Sequence, residues 1–391
     1  MNIDSLLTDE QRQLRDTVRA FARKEVGPRA RGIDAQTEDW KDLFRRMGDL
    51  GLLSLLLPEE WGQGGDMVSQ ALVQEELAYA SGSIANSQVG AIEEGLFISL
   101  HGTDELKAKY LPRIATGEIK ASFALTEPQA GSDASNLKTV ARSNGDRDYV
   151  ISGQKAWVTA GAQADVIIVV AMTDGPEQKR VPTAFLVETG WEGVHKGQPE
   201  DNHGVRGLGT SSMSFDEVVV PAANMLGEPG QGLELSLATI NLGRISTAAM
   251  SVGLGQRALD AALAYSLQRE QFGRPIFKFQ GIKFQLAQMA TKLDAARLLY
   301  LHAARIRDSG APGLARVASE AKLFAADAGV WACEQAMLVF GANGYTRENP
   351  VERCLRDARV CQIFEGTSNV QQIVIARELA NEFKPSFAEL T

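Results

Sequence analysis

Apolar residues recur at helical spacing through the first third of the chain. Thr8 and Gln11 make a capping-box pair, and after them Leu14, Val18, Phe21 and Val26 fall on one helical face. This pattern predicts a helix that stops at Pro28, which has no N–H to continue it. The same periodicity predicts helices over Trp40–Leu52, Asp66–Ala80 and Asp104–Ile114, with Gly51, Gly62, Gly64 and Gly65 marking loops. The texture changes near Ile119. From there to about Val220, short β-branched runs alternate with turn residues. The runs are Tyr149–Ser152, Ala156–Thr159, Val166–Val170 and Ala184–Val187, and Ser143-Asn144-Gly145-Asp146 is a turn. Strands so closely spaced, with no helices intervening, predict an antiparallel sandwich or barrel. After Gly232, four long amphipathic segments near 232–270, 279–309, 312–341 and 368–383 predict a four-helix bundle, with fraying after Phe383. The expected fold class is α+β and multidomain: a helical N-terminal domain over 1–118, a central antiparallel β sandwich or barrel over 119–228 and a C-terminal helical bundle over 229–391.

Composition narrows the function classes. The chain has 391 residues, 44% hydrophobic and 23% charged, which suits a globular enzyme of two or three domains. A formal net charge of -9 argues against non-specific nucleic-acid binding, which needs a basic face. Cys333, Cys354 and Cys361 are odd in number and form no CxxC pair, so reduced thiols are expected rather than a disulfide framework or a zinc site. His101, His195, His203 and His302 show no metal-ligand spacing, and no metal site is expected. The N-terminus lacks the basic start, apolar stretch and cleavage site of a signal peptide. The longest apolar run, around Val166–Met172, is too short to span a bilayer. A cytoplasmic protein is expected, with neither membrane nor nucleic acid as a partner.

Five short segments invite a chemical reading. Gly253-x-Gly255-x-x-Ala258 matches a dinucleotide fingerprint, but it lies inside a helical pattern with no strand before it, so helix packing by small residues is expected. Leu125-Thr126-Glu127-Pro128-Gln129-Ala130-Gly131-Ser132-Asp133 follows the strand-like run Ala121–Leu125; it offers hydroxyls and a glycine that permits close backbone approach, or is simply a decorated turn. In Gln154–Gly161, Trp157 could lie against a planar ring and Thr159 bond to its edge, or Trp157 could pack in the core. Arg269-Glu270-Gln271-Phe272-Gly273-Arg274-Pro275, with Gln280 beyond, could receive a pyrophosphate or be a solvated turn. In Gln362–Asn369, Glu365 follows an apolar run. Desolvation there would raise its pKa and suit it to act as a general base, and Thr367 or Ser368 could cap the next helix.

In order and spacing, these segments resemble the acyl-CoA dehydrogenase family from about Leu7 to Leu379. Thr126-Glu127-Pro128 with Ala130–Asp133 is similar to the family's first signature, and Gln362–Gln372 with Ile373–Arg377 to its second. Arg269-x-x-Phe272-Gly273, Gly344-Tyr345, Pro350–Arg353 and Arg356–Arg359 match as well. The resemblance implies a helical domain, a β domain and a helical bundle, with FAD as cofactor. It places Glu365 as the base that takes the α-proton of an acyl-CoA while the β-hydride goes to the flavin. It assigns Leu125, Thr126, Ser132, Trp157, Thr159, Arg269, Phe272, Gln280, Gly341, Thr367 and Asn369 to the cofactor, and Ser132, Asn241, Arg244 and Gly366 to the substrate. It also implies an electron-transfer flavoprotein as electron acceptor, and a homo-oligomer built as a dimer of dimers.

Some positions depart from the family pattern. Asn241 stands where aspartate is common, Ala160 replaces an asparagine, Leu338 a glutamine and Ala342 a glycine. Ile84 sits where glutaryl-CoA dehydrogenases carry an arginine, which disfavours the decarboxylating reaction. Glu93 and Glu94 lie in Gly90–Leu100, a helix that lines the acyl end of the family's pocket; one of them faces that pocket, or both reach solvent or a basic partner. Two rival functions stay open: a dehydrogenase of carrier-protein-bound acyl groups, and a flavin-free binding protein on the same fold. The presence of Glu365 speaks against a flavin monooxygenase.

Overall fold

The computed structural model describes residues 3–145, 147–175 and 179–383. Its helices are α1 (Asp9–Phe21), α2 (Ala30–Asp34), α3 (Lys41–Asp49), α4 (Met67–Ala80), α5 (Gly82–His101), α6 (Asp104–Ala115), α7 (Gly232–Gln268), α8 (Gln280–Ser309), α9 (Leu314–Phe340), α10 (Pro350–Val360) and α11 (Ser368–Glu382). Its strands are β1 (Ala121–Ala124), β2 (Val140–Ser143), β3 (Asp148–Val158), β4 (Val166–Asp174), β5 (Arg180–Glu188), β6 (Val194–Pro199), β7 (Ser211–Pro221), β8 (Met225–Leu226), β9 (Glu270–Gln271) and β10 (Arg274–Pro275). The order is helical, then β, then helical, as the periodicity predicts. Asp146 of the expected turn and the residues after Phe383 lie outside the described residues.

Local signals account for several boundaries. Thr8 Oγ1 accepts from the Gln11 N–H at 3.2 Å while the Gln11 side chain accepts from the Thr8 N–H at 3.1 Å, so both halves of the capping box are made. Pro28 does not end the helical path. A π turn over Ala22–Val26 and a 3-10 turn over Gly27–Arg29 lead into α2. The proline sits in the 3-10 turn that opens the renewed helical path, where its fixed φ suits the helix.

The described chain forms two compact units. One takes the stretch ending at Gly27, Met67–Gly82 and the stretch beginning at Asn241; the other takes Pro28–Asp66 and Ser83–Ile240. In the helical unit, α1 packs on α4, α4 on α8, and α9 touches α8, α10 and α11. Asp308 accepts from the free Met67 N–H at 2.9 Å at the start of α4. Arg297 grips Glu75 with a fork of bonds at 2.7 and 3.0 Å, and the Tyr300 hydroxyl donates to the same carboxylate. α9 is long and apolar enough by composition to cross a membrane, but its buried alanines, Ala318, Ala321, Ala325 and Ala326, make it a core helix of this unit.

The other unit is built on an eight-stranded sheet in the order β6-β7-β3-β2-β4-β5-β8, with β1 beside β4. Most pairings are antiparallel, as expected, but β1–β4 and β2–β4 are parallel, so the sheet is mixed. Val166–Ala171 of β4 are all buried. A strand covered on both faces is apolar at every position and carries no alternation from which its partners could be read. Inward residues of β2, β3, β4, β5 and β7, among them Ala141, Ile151, Val169, Phe185 and Phe215, share one core.

The Gly253–Ala258 match is a packing feature of α7. A methyl group at Gly253 would run into the backbone carbonyl of Glu75 on α4, whereas one at Gly255 would meet the end of the Leu293 side chain at 2.6 Å. Gly253→Ala should therefore cost ~1–3 kcal/mol, because backbone cannot move aside cheaply. Gly255→Ala should cost less, because a leucine can change rotamer. Thermal unfolding of the two variants checks this; equal midpoints would refute it.

Candidate active site

The candidate residues form separate clusters in the two units. In the sheet unit, Leu125 and Thr126 follow β1 directly. The Ala156 N–H donates to the Thr126 carbonyl at 2.9 Å and the Ser122 hydroxyl to the Thr159 carbonyl at 2.8 Å, which stitches the end of β1 to the end of β3. Lys155 lies underneath with no solvent exposure. Its ammonium donates to the Leu125 carbonyl at 3.0 Å and to Glu127 Oε1 at 2.8 Å. Glu127 also accepts from the backbone N–H groups of Lys138 at 2.7 Å and Thr139 at 3.0 Å. Burial pushes the Glu127 carboxyl up, but Lys155 and these amides outweigh it and hold it down at about 2.

The register of β3 against β7 shifts between Lys155 and Val158, and Trp157 takes a φ of 58°. A bulge re-aims the side chain it carries, and Trp157 is 61% exposed. A left-handed tryptophan is strained. Ala160 is left-handed too, at φ 54°, in the position where the family's asparagine would sit more easily. The hydroxyls of Thr126 and Thr159 make no hydrogen bond among the described residues. Ser132 is exposed on the same loop, and a Cβ at Gly131 would meet nothing within 4 Å. An open indole face, two unengaged hydroxyls and a clear backbone suit a planar ring with a polar edge.

In the helical unit the decisive element is the turn between α10 and α11. Glu365 and Gly366 are both left-handed, with φ of 54° and 87°. Gln371, fully buried, donates through Nε2 to the Glu365 carbonyl at 2.9 Å and the Gly366 carbonyl at 2.8 Å. Lys322 Nζ donates to the Gly366 carbonyl at 2.7 Å. Arg244 reaches the Glu365 carbonyl at 3.4 Å and Asn241 Oδ1 at 2.8 Å, so two residues assigned to the substrate are bonded to each other. Thr367 caps α11 by accepting from the Val370 N–H at 3.3 Å. Glu365 keeps partial exposure as a residue, yet its Oε2 is sealed from solvent and has no hydrogen-bond partner among the described residues. Burial pushes the Glu365 carboxyl up, opposed in part by the charges of Arg244 and Lys322. A buried, unpartnered carboxylate oxygen with a raised pKa is a stronger proton acceptor than an ordinary surface carboxylate.

The remaining helical-unit candidates are displayed rather than enclosed. Phe272 and Gly273 are left-handed, at 53° and 73°, and connect β9 to β10 as a two-residue hairpin turn. The turn holds Phe272 92% exposed, with Arg269 and Gln280 exposed nearby in sequence. Gly341 ends α9 at φ 60° with nothing within 4 Å of its Cβ position, and Asn369 is exposed on the first turn of α11.

Three family models match the chain in succession: "Acyl-CoA dehydrogenase, N-terminal domain" at residues 8–118, "Acyl-CoA dehydrogenase, middle domain" at 122–218 and "Acyl-CoA dehydrogenase, C-terminal domain" at 230–380. The chain belongs to the acyl-CoA dehydrogenase family. It is 45% identical over 376 residues to a probable acyl-CoA dehydrogenase of Bacillus subtilis, covering 95% of this chain and 98% of that one. The butyryl-CoA dehydrogenase of Megasphaera elsdenii superposes with a TM-score of 0.91 at 37% identity, over 96% of this chain and 99% of that one. A glutaryl-CoA dehydrogenase of Mycobacterium smegmatis in complex with FADH2 superposes with a TM-score of 0.92 at 28% identity, over 99% and 98% of the two chains. As an acyl-CoA dehydrogenase the protein is an oxidoreductase of a flavoprotein family.

Four residues with a hand in these loops carry no assignment in the sequence reading. Glu127 and Lys155 stand inside quoted motifs, but nothing in the motif shows that they pair beneath the loop. Gln371 is in the second signature without a stated role. Lys322 leaves one trace: a lysine among Ala318, Ala321, Ala325 and Ala326 on the apolar face of α9. Of the α5 glutamates, Glu94 is the buried one, its carboxylate 3.3 Å from where a Cβ on Gly90 would lie.

Glu127→Gln should leave the Lys155 ammonium buried without its counter-charge and cost ~3–5 kcal/mol. The sign with pH is fixed by the depressed carboxyl. Its contribution is complete above its ordinary value of 4.5 and is lost as pH falls toward about 2. The wild type should therefore lose stability steeply over that window, and Glu127→Gln should lack this component. Acid-unfolding curves of the two proteins test it.

Proposed function

We propose that this protein oxidises an acyl-CoA thioester to the trans-2-enoyl-CoA with Glu365 as the base. The observation that carries this reading is the sealed, unpartnered Oε2 of Glu365 at the end of a turn clamped by buried donors. The thioester carbonyl acidifies the α-C–H, and Glu365 takes that proton. The Glu365 N–H donates no hydrogen bond among the described residues, so it is left to polarise the thioester carbonyl as enolate-like charge develops. Bound FAD supplies the acceptor for the β-hydride. Leu125, Thr126, Ser132, Trp157 and Thr159 are assigned to hold it from the sheet unit, supported by the open indole and the unengaged threonine hydroxyls. Arg269, Phe272, Gln280, Gly341, Thr367 and Asn369 are the assignments in the helical unit. Ser132, Asn241, Arg244 and Gly366 are assigned to the substrate, and electrons pass on to an electron-transfer flavoprotein.

The working form is a homo-oligomer, a dimer of dimers. Phe272 at 92%, Tyr345 at 86%, Leu338 at 67% and Ile373 at 67% exposure are large apolar side chains that a second copy would cover. Light scattering of the FAD-saturated protein should give a tetramer; a stable saturated monomer would sink the idea.

Glu365→Gln should keep FAD and thioester binding and lose flavin bleaching by at least ~10²–10⁴-fold, since an amide cannot take the α-proton. Anaerobic stopped-flow reduction with the best substrate of an acyl-CoA panel, run beside a carrier-protein thioester, makes the measurement. Because burial raises the Glu365 pKa, the wild-type rate should climb with pH through a value above the usual carboxylate range. Equal bleaching in the two proteins would remove Glu365 from the role.

A further inference from the structure

Lys322 sits in the middle of α9 with no solvent exposure. An ammonium loses its hydration there at a large cost, and among the described residues no carboxylate lies within ion-pair distance to repay it. Its one hydrogen bond goes to the Gly366 carbonyl, at 2.7 Å. That carbonyl and the one before it are the most heavily gripped in the turn. Donors from three helices meet there: Arg244 of α7 on Glu365, Lys322 of α9 on Gly366, and Gln371 of α11 on both. Arg244 also bonds to Asn241 and Ser319, so its position does not depend on the turn. Lys322 has the turn alone.

Fixing two successive carbonyls fixes the peptide planes on either side of Gly366, and with them the direction of the Glu365 side chain. A left-handed glutamate does not hold that shape by itself. The charged or titratable groups around the pair are Arg244 on α7, Asp327 on α9, Cys361 after α10 and Arg377 on α11. Of these, Arg244 and Lys322 are the cations that act on the Glu365 carboxylate.

We propose that Lys322 is a positioning residue for the base: by binding the Gly366 carbonyl it holds the left-handed Glu365–Gly366 turn that directs the Glu365 carboxylate. This rests on Glu365 being the base. Removing the charge leaves burial less opposed, so Glu365 protonates at higher pH and less base is present near neutrality.

The test separates proton abstraction from flavin reduction. 3,3-Dimethylbutyryl-CoA and phenylacetyl-CoA carry α-hydrogens but no transferable β-hydrogen, so α-exchange with deuterated water, followed by mass spectrometry, reads the base alone. The intact FAD-loaded wild type, Glu365→Gln, Lys322→Gln and Lys322→Arg are compared across pH, with FAD content and thermal midpoint measured for each. Lys322→Gln keeps a donor for Gly366 without the charge. Its acid limb should move to higher pH, with little change in KM for the best substrate. Lys322→Arg should keep the wild-type limb while exchange slows by about tenfold, because the fork cannot copy the ammonium's single bond. Wild-type limbs and rates in both Lys322 variants would overturn the proposal. Exchange that survives in Glu365→Gln, or is absent from the wild type, would instead overturn the reading of Glu365 and the proposal with it. If Lys322→Gln does not fold, Lys322→Arg carries the test: an unchanged exchange rate refutes the positioning role.

Discussion

In each unit, a lysine ammonium cut off from solvent donates to the carbonyl of a motif loop. Lys155 holds Leu125 at 3.0 Å and Lys322 holds Gly366 at 2.7 Å. The two solve one problem in different ways. A loop that presents chemistry cannot rest on regular secondary structure, so its carbonyls need other donors. A buried ammonium is a strong donor because no water competes with it, but it must be stabilised in turn. Lys155 has Glu127 for that purpose, and Glu127 has two amides of its own. Lys322 has the loop and the fields of Cys361, Glu365 and Asp327, so the base and its support act on each other.

The same constraint bears on four of the seven left-handed non-glycine residues among those described. Trp157, Ala160, Phe272 and Glu365 are non-glycine residues with φ between 53° and 58°, and all four lie in the motif segments. Such residues persist only when their surroundings over-determine them. The bulge against β7 does so for Trp157, the two-residue hairpin for Phe272, and the grip of Arg244, Lys322 and Gln371 for Glu365. In each case the strain presents a side chain in a direction that a relaxed loop would not choose.

Much of the fold was legible in the sequence because amphipathic period survives wherever an element has one wet face. The long C-terminal helices followed from that, the capping box at Thr8 from its residue types, and the packing role of Gly253 from a fingerprint with no strand before it. Legibility failed where both faces are dry. β4 is apolar from Val166 to Met172, so its parallel neighbours left no mark, and the path through Pro28 depended on which turn received the proline. At the candidate site, Glu365 stood out as a carboxylate after an apolar run, and Thr367 as a cap. The bulge at Trp157 did not, because a strand tryptophan looks the same whether it faces the core or the solvent.

Lys322 marks the boundary of what one sequence yields here. A lysine on an alanine-rich helix ordinarily means that this face meets water. Here the face is buried, and its partner is a backbone carbonyl 44 residues further along the chain, a group every residue carries and no motif can name. Side chains that meet side chains leave a pair of signals to match, as Glu127 and Lys155 do. Side chains that meet backbone leave one signal only, and its meaning depends on the conformation of the loop it serves. The support of a strained turn is therefore harder to find in the sequence than the residue the turn displays, although the displayed residue has no fixed direction without it.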